Sequence, residues 1–161
     1  MAEKLSQVRI ALDAVDLVTP TAAAKYEIGT KIKTSDAHGG DEKEYVYIKS
    51  HAALTAFQPY VIKIGSTAGA EVISGAPFTL AAPGLQVCIP QVAFTSGYYG
   101  FVQIKGDAQA LIGVENHAVG DHLQVLNTGT VVVVDGTTTS TTESVNTFAI
   151  SKEAGTVAQT I

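Results

Sequence analysis

The sequence "SGYYGFVQIKGDAQALI", residues 96–112, contains two short apolar segments separated by a Gly-Asp step. The first segment alternates in the manner of a β-strand, and a glycine at the first central position suits a type II′ turn at Gly106-Asp107. The pattern therefore predicts a hairpin. The expected cross-strand pairs are Val102 with Leu111 and Phe101 with Ile112.

Alternation gives this hairpin two faces with different compositions. One face is wholly aliphatic and is interpreted as core; it consists of Val102, Ile104 and Leu111. The other face contains two aromatic rings and is interpreted as a contact with a neighbouring subunit; it consists of Tyr99, Phe101 and Ile112. A hairpin that is apolar on both faces suits a protein that buries one face in itself and the other against a partner.

The composition supports the same interpretation. The 161 residues suit one domain, or one domain with an arm, and can bury a core. Charged residues make up 16% of the chain, against about 25% in ordinary soluble domains. The hydrophobic fraction is 46% although aromatic residues are only 7% and Trp is absent, so much of the apolar content is Ala and Val. Such a chain favours a β-sheet fold with apolar surface covered by partner chains.

Strand patterns recur outward from this stretch at short spacing, with turn residues between them. They are "YEIGTKIKT" (26–34), "EYVYIKS" (44–50), "PYVIKIG" (59–65), "LQVCIPQVAF" (85–94), "DHLQVLN" (121–127), "TVVVVDG" (130–136), "VNTFAI" (145–150) and "GTVAQTI" (155–161). The sequence predicts an all-β fold, a small antiparallel β-barrel or sandwich built from hairpins, with at most one short helix. "HAALTAF" (51–57) is a candidate for that helix, and "TTTSTTES" (137–144) is predicted to be a loop.

The first 25 residues differ from the rest of the chain. Residues 1–25 are predicted to form an N-terminal arm or a first strand, and residues 26–161 a single β domain. Val8, Ile10 and Leu12 alternate like a strand, and the break at "TPTAAAK" would separate them from the following hairpin. They are therefore expected to contact a neighbouring subunit, with a core strand as the alternative.

Charge and residue usage exclude several function classes. A net charge of −5 without a basic cluster argues against nucleic acid and against a membrane surface. No apolar run reaches about 18 residues, and the first residues lack the pattern of a signal peptide, so synthesis in a reducing cytoplasm is expected. Cys88 is the single cysteine and is expected to be a buried structural thiol.

No motif in the sequence indicates catalysis. The four histidines have no recognised metal-ligand spacing, and "GSTAG" (65–69) does not have the order of a nucleophile elbow. Asp36, Asp41 and Glu42 could hold a hard cation, but a solvated hairpin tip is the favoured interpretation of that loop. The chain is predicted not to be an enzyme, with no catalytic residue, cofactor or metal site.

The segment "VCIPQVAFTSGYYGFVQIKGDAQALIGVENHAVGDHLQV" (87–125) resembles the central part of capsid decoration, or cement, proteins of tailed double-stranded DNA bacteriophages. The matching residues are Val92, Ala93, Gly97, Tyr99, Gly100, Phe101, Val102, Gln103, Gly106, Gly120, Asp121 and Leu123. The resemblance implies a virion protein on the outer surface of the head, at junctions of major capsid subunits. Such proteins often act as trimers, so a homo-oligomer is expected here.

Three function hypotheses follow. The first is a structural protein that stabilises the capsid by bridging major capsid subunits. The alternative is a β module of a tail or fibre that binds host-surface glycan, and a small β-barrel hydrolase is a weaker third possibility. Aromatic placement separates the first two, because a glycan site needs exposed rings flanked by polar side chains.

Overall fold

The computed structural model describes residues 14–34, 42–65, 69–73, 86–111, 118–120, 122–125, 131–134, 147–150 and 159–160. Within these ranges the chain forms eleven strands and one five-residue helix, α1 (Ala14–Val18). The strands are β1 (Lys31–Thr34), β2 (Lys43–Ser50), β3 (Tyr60–Gly65), β4 (Gly69–Ile73), β5 (Gln86–Cys88), β6 (Tyr99–Lys105), β7 (Gln109–Ala110), β8 (His122–Val125), β9 (Val131–Val134), β10 (Thr147–Ile150) and β11 (Gln159–Thr160). The predicted all-β class is confirmed.

The main sheet has six strands in the order β1-β2-β4-β3-β5, and β6 lies on the other edge of β2. All of its pairings are antiparallel except the short parallel contact between β2 and β4. The sheet does not close into a barrel, because the chain after β5 reaches β6 only through an isolated bridge between Ile89 and Gln103. Two smaller sheets have the orders β10-β8-β9 and β11-β7.

Several predicted hairpins are present. β1 pairs with β2 across residues 35–42, and β8 pairs with β9 around residues 126–130. Pro59 directly precedes β3, where its missing N–H costs no ladder bond. Turn chemistry between alternating segments was sufficient to locate these elements.

The predicted hairpin around Gly106-Asp107 is wrong. β6 pairs with β2, so Val102 faces Val46 and Phe101 faces Tyr47, while β7 pairs with β11. The other edge of β6 already bonds to Thr21 and Ile89, which leaves β7 no place beside it.

Gln103 directs the chain away from the sheet after β6. Its side-chain amide donates to the carbonyls of three residues of the turn, Lys105 (3.1 Å), Gly106 (3.1 Å) and Asp107 (2.8 Å). The amide is buried, so these bonds replace the water that the side chain loses. The turn thereby continues into a separate strand and does not fold back on β6.

Residues 51–57 also differ from expectation, since they form bends and a turn and no helix. Leu54 pairs with Phe94 in an isolated bridge at the centre of this segment. A short apolar run fits a helix or a buried extended segment equally well, and here the long-range bridge decides between them. The described helix lies instead at α1.

The hydrophobic core lies on one face of β2 and β6. It is formed by Val46, Ile48, Leu54, Tyr60, Ile62, Cys88, Phe94 and Val102. Ile104 packs against this cluster, so the predicted core role of Val102 and Ile104 is confirmed. Leu111 is 37% exposed, so its predicted core role is wrong. The chain has left the sheet before it reaches Leu111.

Candidate interface

The second face of β2 and β6 carries an aromatic cluster. Tyr47 and Phe101 are cross-strand neighbours with ring centroids 5.0 Å apart. Tyr26 approaches both rings, at 5.2 Å from Tyr47 and 5.4 Å from Phe101, and Tyr99 stacks 6.4 Å from Tyr47. Edge-to-face and offset contacts at these distances stabilise beyond the area they bury.

Residues 14–26, here called the N-terminal strap, cover this cluster. Thr21 and Tyr99 exchange two backbone hydrogen bonds of 2.8 Å each. The backbone N–H of Lys25 donates to the hydroxyl oxygen of Tyr47 at 2.9 Å. Phe101 and Tyr47 are each only 2% exposed as a result. The second apolar face of the β6 segment is therefore buried by the protein's own chain.

Asp16 fastens the two ends of the strap together. Its carboxylate accepts a hydrogen bond from the Tyr26 hydroxyl at 2.6 Å and forms an ion pair with Lys25. The hydrogen bond from Lys25, followed by that from Tyr26, lowers the pKa of Asp16 below its ordinary value. The charged form of Asp16 thus holds Tyr26 in place over the aromatic cluster.

Acid is expected to loosen the strap through Asp16. A carboxylate whose pKa is lowered in the folded state stabilises fully above its unfolded pKa, about 3.9, and this contribution is lost as pH falls through the folded value. In Asp16→Asn the contribution should be absent at every pH. Amide hydrogen exchange of Thr21 and Tyr99, measured between pH 2 and pH 7, should be faster in the variant above about pH 4. The difference should shrink at lower pH and disappear once the pH is below the lowered pKa of Asp16.

Glu42→Gln is the matched control for this experiment. Glu42 also pairs with a lysine, Lys33 at 2.6 Å, but both side chains are at least half exposed and lie away from the strap. Exposed pairs of this kind contribute little. Equal exchange at Thr21 in wild type and Asp16→Asn at neutral pH would contradict the role of Asp16.

The predicted interface residues lie in different surroundings. Tyr99 is half-buried, with the ammonium of Lys49 5.5 Å from its ring centroid. Phe101 is buried under Tyr26, so a partner could reach its ring only after displacement of the strap. Val8, Ile10, Leu12 and Ile112 lie outside the described residues. Their assignment to an interface, and the division at residue 25, stay predictions.

Exposed apolar side chains lie elsewhere, and sequence reasoning missed them. Val15 is 57% exposed and Val18 is 56% exposed. They are three positions apart on α1 and so share one side of it. Val119, in a turn, is 67% exposed. A valine pair in a short helix at the start of the strap is a candidate contact surface, and only the i, i+3 spacing in "AVDLV" could have indicated it.

The groups considered for metal or nucleophilic chemistry are placed as follows. Among the residues that the structure describes, no group of three or more His, Cys, Asp or Glu could hold a metal ion. Asp36, Asp41, His38 and His117 lie outside those residues, whereas Glu42 pairs with Lys33. Lys33 also forms an ion pair with Glu44 at 3.0 Å. The hydrogen bonds from Lys33 to Glu42 and Glu44 raise the pKa of the Lys33 ammonium. The hydrogen bond from Lys33 lowers the pKa of the Glu44 carboxyl group.

The expectation for Cys88 is confirmed. Its thiol is 1% exposed within the core, and burial raises its pKa. A buried thiol with a raised pKa is a poor nucleophile, since the thiolate is the reactive form.

In the described ranges, no helix is long and apolar enough to cross a membrane.

No family model matches this sequence, and no curated protein matches it. Among solved structures, the chain is similar to the crystal structure of the head fiber gp8.5 N base in bacteriophage phi29. The two chains share 18% sequence identity with a TM-score of 0.48, over 72% of this chain and 87% of that chain. The comparisons therefore assign the chain to no family.

Proposed function

We propose that this protein is a structural component of a tailed-phage virion that binds the outer surface of the head without catalysis. It bridges neighbouring major capsid subunits and acts as a homo-oligomer, with a trimer favoured. The observation that carries the proposal is where the cement-protein motif lies in the fold. Five consecutive motif residues, Tyr99–Gln103, lie in β6, the strand that contributes to both the core and the aromatic cluster.

The structural roles of these residues support the resemblance. A side chain on Gly100 would begin 2.8 Å from the Phe94 ring, so the motif glycine permits the close packing of the core. Gln103 holds the turn after β6, and Gly106 lies at a φ of +84° within that turn. A pattern shared at positions that determine the fold is a stronger reason to expect a shared fold than one on the surface.

The proposed mechanism is additive contact at many symmetric copies. Each subunit offers a modest apolar surface, and the valine pair of α1 is the candidate with the highest exposure next to the predicted arm. Simultaneous engagement of several subunits raises the effective concentration of each contact, so weak individual contacts become strong binding. A chain with only 16% charged residues suits such apolar contacts.

Co-sedimentation with purified heads that lack the protein tests this proposal. Wild-type protein should sediment with heads saturably, and Val15→Asp with Val18→Asp should weaken binding by about tenfold or more, as expected for a buried contact. Val119→Asp is the matched control, because Val119 is also more than half exposed but lies in a turn outside residues 14–26. The melting temperature of each isolated variant separates lost binding from lost folding.

The two failures of this experiment are distinct. If wild-type protein does not sediment with heads at all, the proposed function is wrong. If it binds and the double variant binds equally well, only the assignment of the α1 surface is wrong. The glycan-binding alternative is less favoured, because it needs exposed rings, whereas Tyr47 and Phe101 are buried and Tyr99 on the same face is half-buried.

A further inference from the structure

The main sheet contains two copies of one strand–turn–strand unit. The first unit runs from β2 to β3 and the second from β5 to β6, and the strands of the two units pair reciprocally: β2 with β6, and β3 with β5. Equivalent residues are forty positions apart, so the pairs Ile48–Gly100 and Val46–Val102 correspond to Tyr60–Cys88 and Ile62–Gln86. The units are thus related by an approximate two-fold axis.

The connecting segments obey the same relation. Leu54 and Phe94 lie at the axis and exchange two backbone hydrogen bonds, of 3.0 and 2.9 Å. The N–H of Gly97 donates to the carbonyl of Ser50 at 2.9 Å, and the N–H of Phe57 donates to the carbonyl of Pro90 at 2.7 Å. Both donors have a left-handed backbone, with φ of +80° at Gly97 and +66° at Phe57.

The two units differ in what they carry at this donor position. A Cβ on Gly97 would meet nothing within 4 Å, and the space beside it is a cavity of about 230 Å³ lined by Lys49, Ser50, His51 and Gly97. At the equivalent position the chain has Phe57, which is partly buried. Because the backbone is equivalent, a ring at position 97 would leave the chain in the same direction relative to Ser50 as Phe57 does relative to Pro90.

An aromatic residue at a positive φ strains the backbone, and bulky side chains are rare in this conformation. Its presence at Phe57 shows that this backbone can carry a ring, there beside Pro90, where the other unit has Ser50. The cavity at Gly97 opens to solvent, and its volume of about 230 Å³ is large enough to admit one phenyl ring. The chain therefore places a ring at one copy of the location and leaves the other copy open.

We propose that the Gly97 cavity binds an aromatic side chain of a partner protein that has a negative charge beside the ring. The positive charge of Lys49 favours an acidic group at the rim, and the imidazole of His51 in the lining can donate a hydrogen bond to it. Lys49 also lies 5.5 Å from the centre of the Tyr99 ring, which places a cation and an aromatic surface at the same edge. This inference depends on the internal repeat and is independent of the proposed capsid role.

An NMR titration of the isolated protein with N-acetyl-L-phenylalaninate tests the proposal. N-acetyl-L-alaninate is the matched ligand that has the same charge and lacks the ring. The phenylalanine derivative should shift the amide signals of Lys49, His51 and Gly97 saturably, and the alanine derivative should bind about tenfold more weakly or not at all. N-acetylglucosamine is included to test for a sugar site.

Two substitutions at one position complete the test. Gly97→Ala and Gly97→Phe both place a side chain on the left-handed backbone of position 97, but only phenylalanine can place a ring in the cavity. Gly97→Ala should retain binding, and Gly97→Phe should weaken it by about tenfold or more. The proposal is overturned if the two acids bind alike, if only the sugar shifts these signals, or if Gly97→Phe binds as wild type does. Should Gly97→Phe not fold, the comparison of the two acids on wild-type protein decides.

Discussion

Replacing Phe101 with alanine is expected to lower the free energy of unfolding of the isolated protein by about 3–5 kcal/mol, the usual cost of removing a buried aromatic ring. Phe101 is 2% exposed and contacts the rings of Tyr26 and Tyr47, so its loss leaves a cavity between the sheet and the strap. Urea unfolding followed by circular dichroism measures the change.

Tyr99→Ala is the matched control for this prediction. Tyr99 lies on the same face two residues earlier but is only half-buried, and its closest described ring is 6.4 Å away. Its truncation should cost clearly less than that of Phe101. An unchanged unfolding curve for Phe101→Ala would restore the interpretation from sequence, in which this ring contacts another subunit and contributes little to the isolated chain.

Gly106→Ala is expected to destabilise the protein by about 2–5 kcal/mol, the sum of a left-handed backbone penalty and a steric overlap. A methyl group at Gly106 would lie 2.5 Å from the carbonyl oxygen of Glu42 and 3.0 Å from the Cα of Lys43. Both neighbours are backbone atoms at the start of β2, so neither can rotate away. Thermal or urea unfolding of the purified variant measures the cost.

Gly120→Ala separates the two contributions. Gly120 has a similar φ, +93°, but a methyl group there would meet nothing within 4 Å. It should therefore show only the backbone penalty, about 1–2 kcal/mol. Equal destabilisation by the two substitutions would mean that the overlap between the added methyl group at position 106 and the carbonyl oxygen of Glu42 does not lower stability.

Local patterns were sufficient to predict the positions of all the described strands except β4. Alternation and turn residues located β1, β2, β3, β8 and β9, because each is limited by its own turn chemistry. The core face of β6 also followed from alternation, and the burial of Cys88 followed from its residue type and its apolar surroundings in the sequence.

Partner choice among the strands could not be predicted in the same way. The turn at Gly106 has the glycine expected for a hairpin. However, the hydrogen bonds of Gln103 and the occupied edge of β6 prevent β7 from pairing with β6, and β7 pairs with β11. Those contacts join residues far apart in sequence, such as Thr21 with Tyr99 and Ile89 with Gln103. The alternation of side chains and the intrinsic strand propensity of a segment do not indicate which distant segment will pair with a given strand edge.

The aromatic face shows the same limit for the site. Sequence alternation correctly placed Tyr99 and Phe101 on the face opposite the core. It could not show that Tyr26 and the strap cover this face, because that requires the positions of Asp16, Lys25 and Tyr47 in space. The exposed valines of α1 emerged only once the strap was placed.

Cryo-electron microscopy of particles assembled with and without the protein tests whether it lies on the outside of a phage head and bridges capsid subunits, as proposed. We expect added density on the outer capsid surface, in contact with at least two neighbouring major capsid subunits and fitting the main sheet. Density at a tail or fibre, or no difference between the two particles, would contradict the proposal.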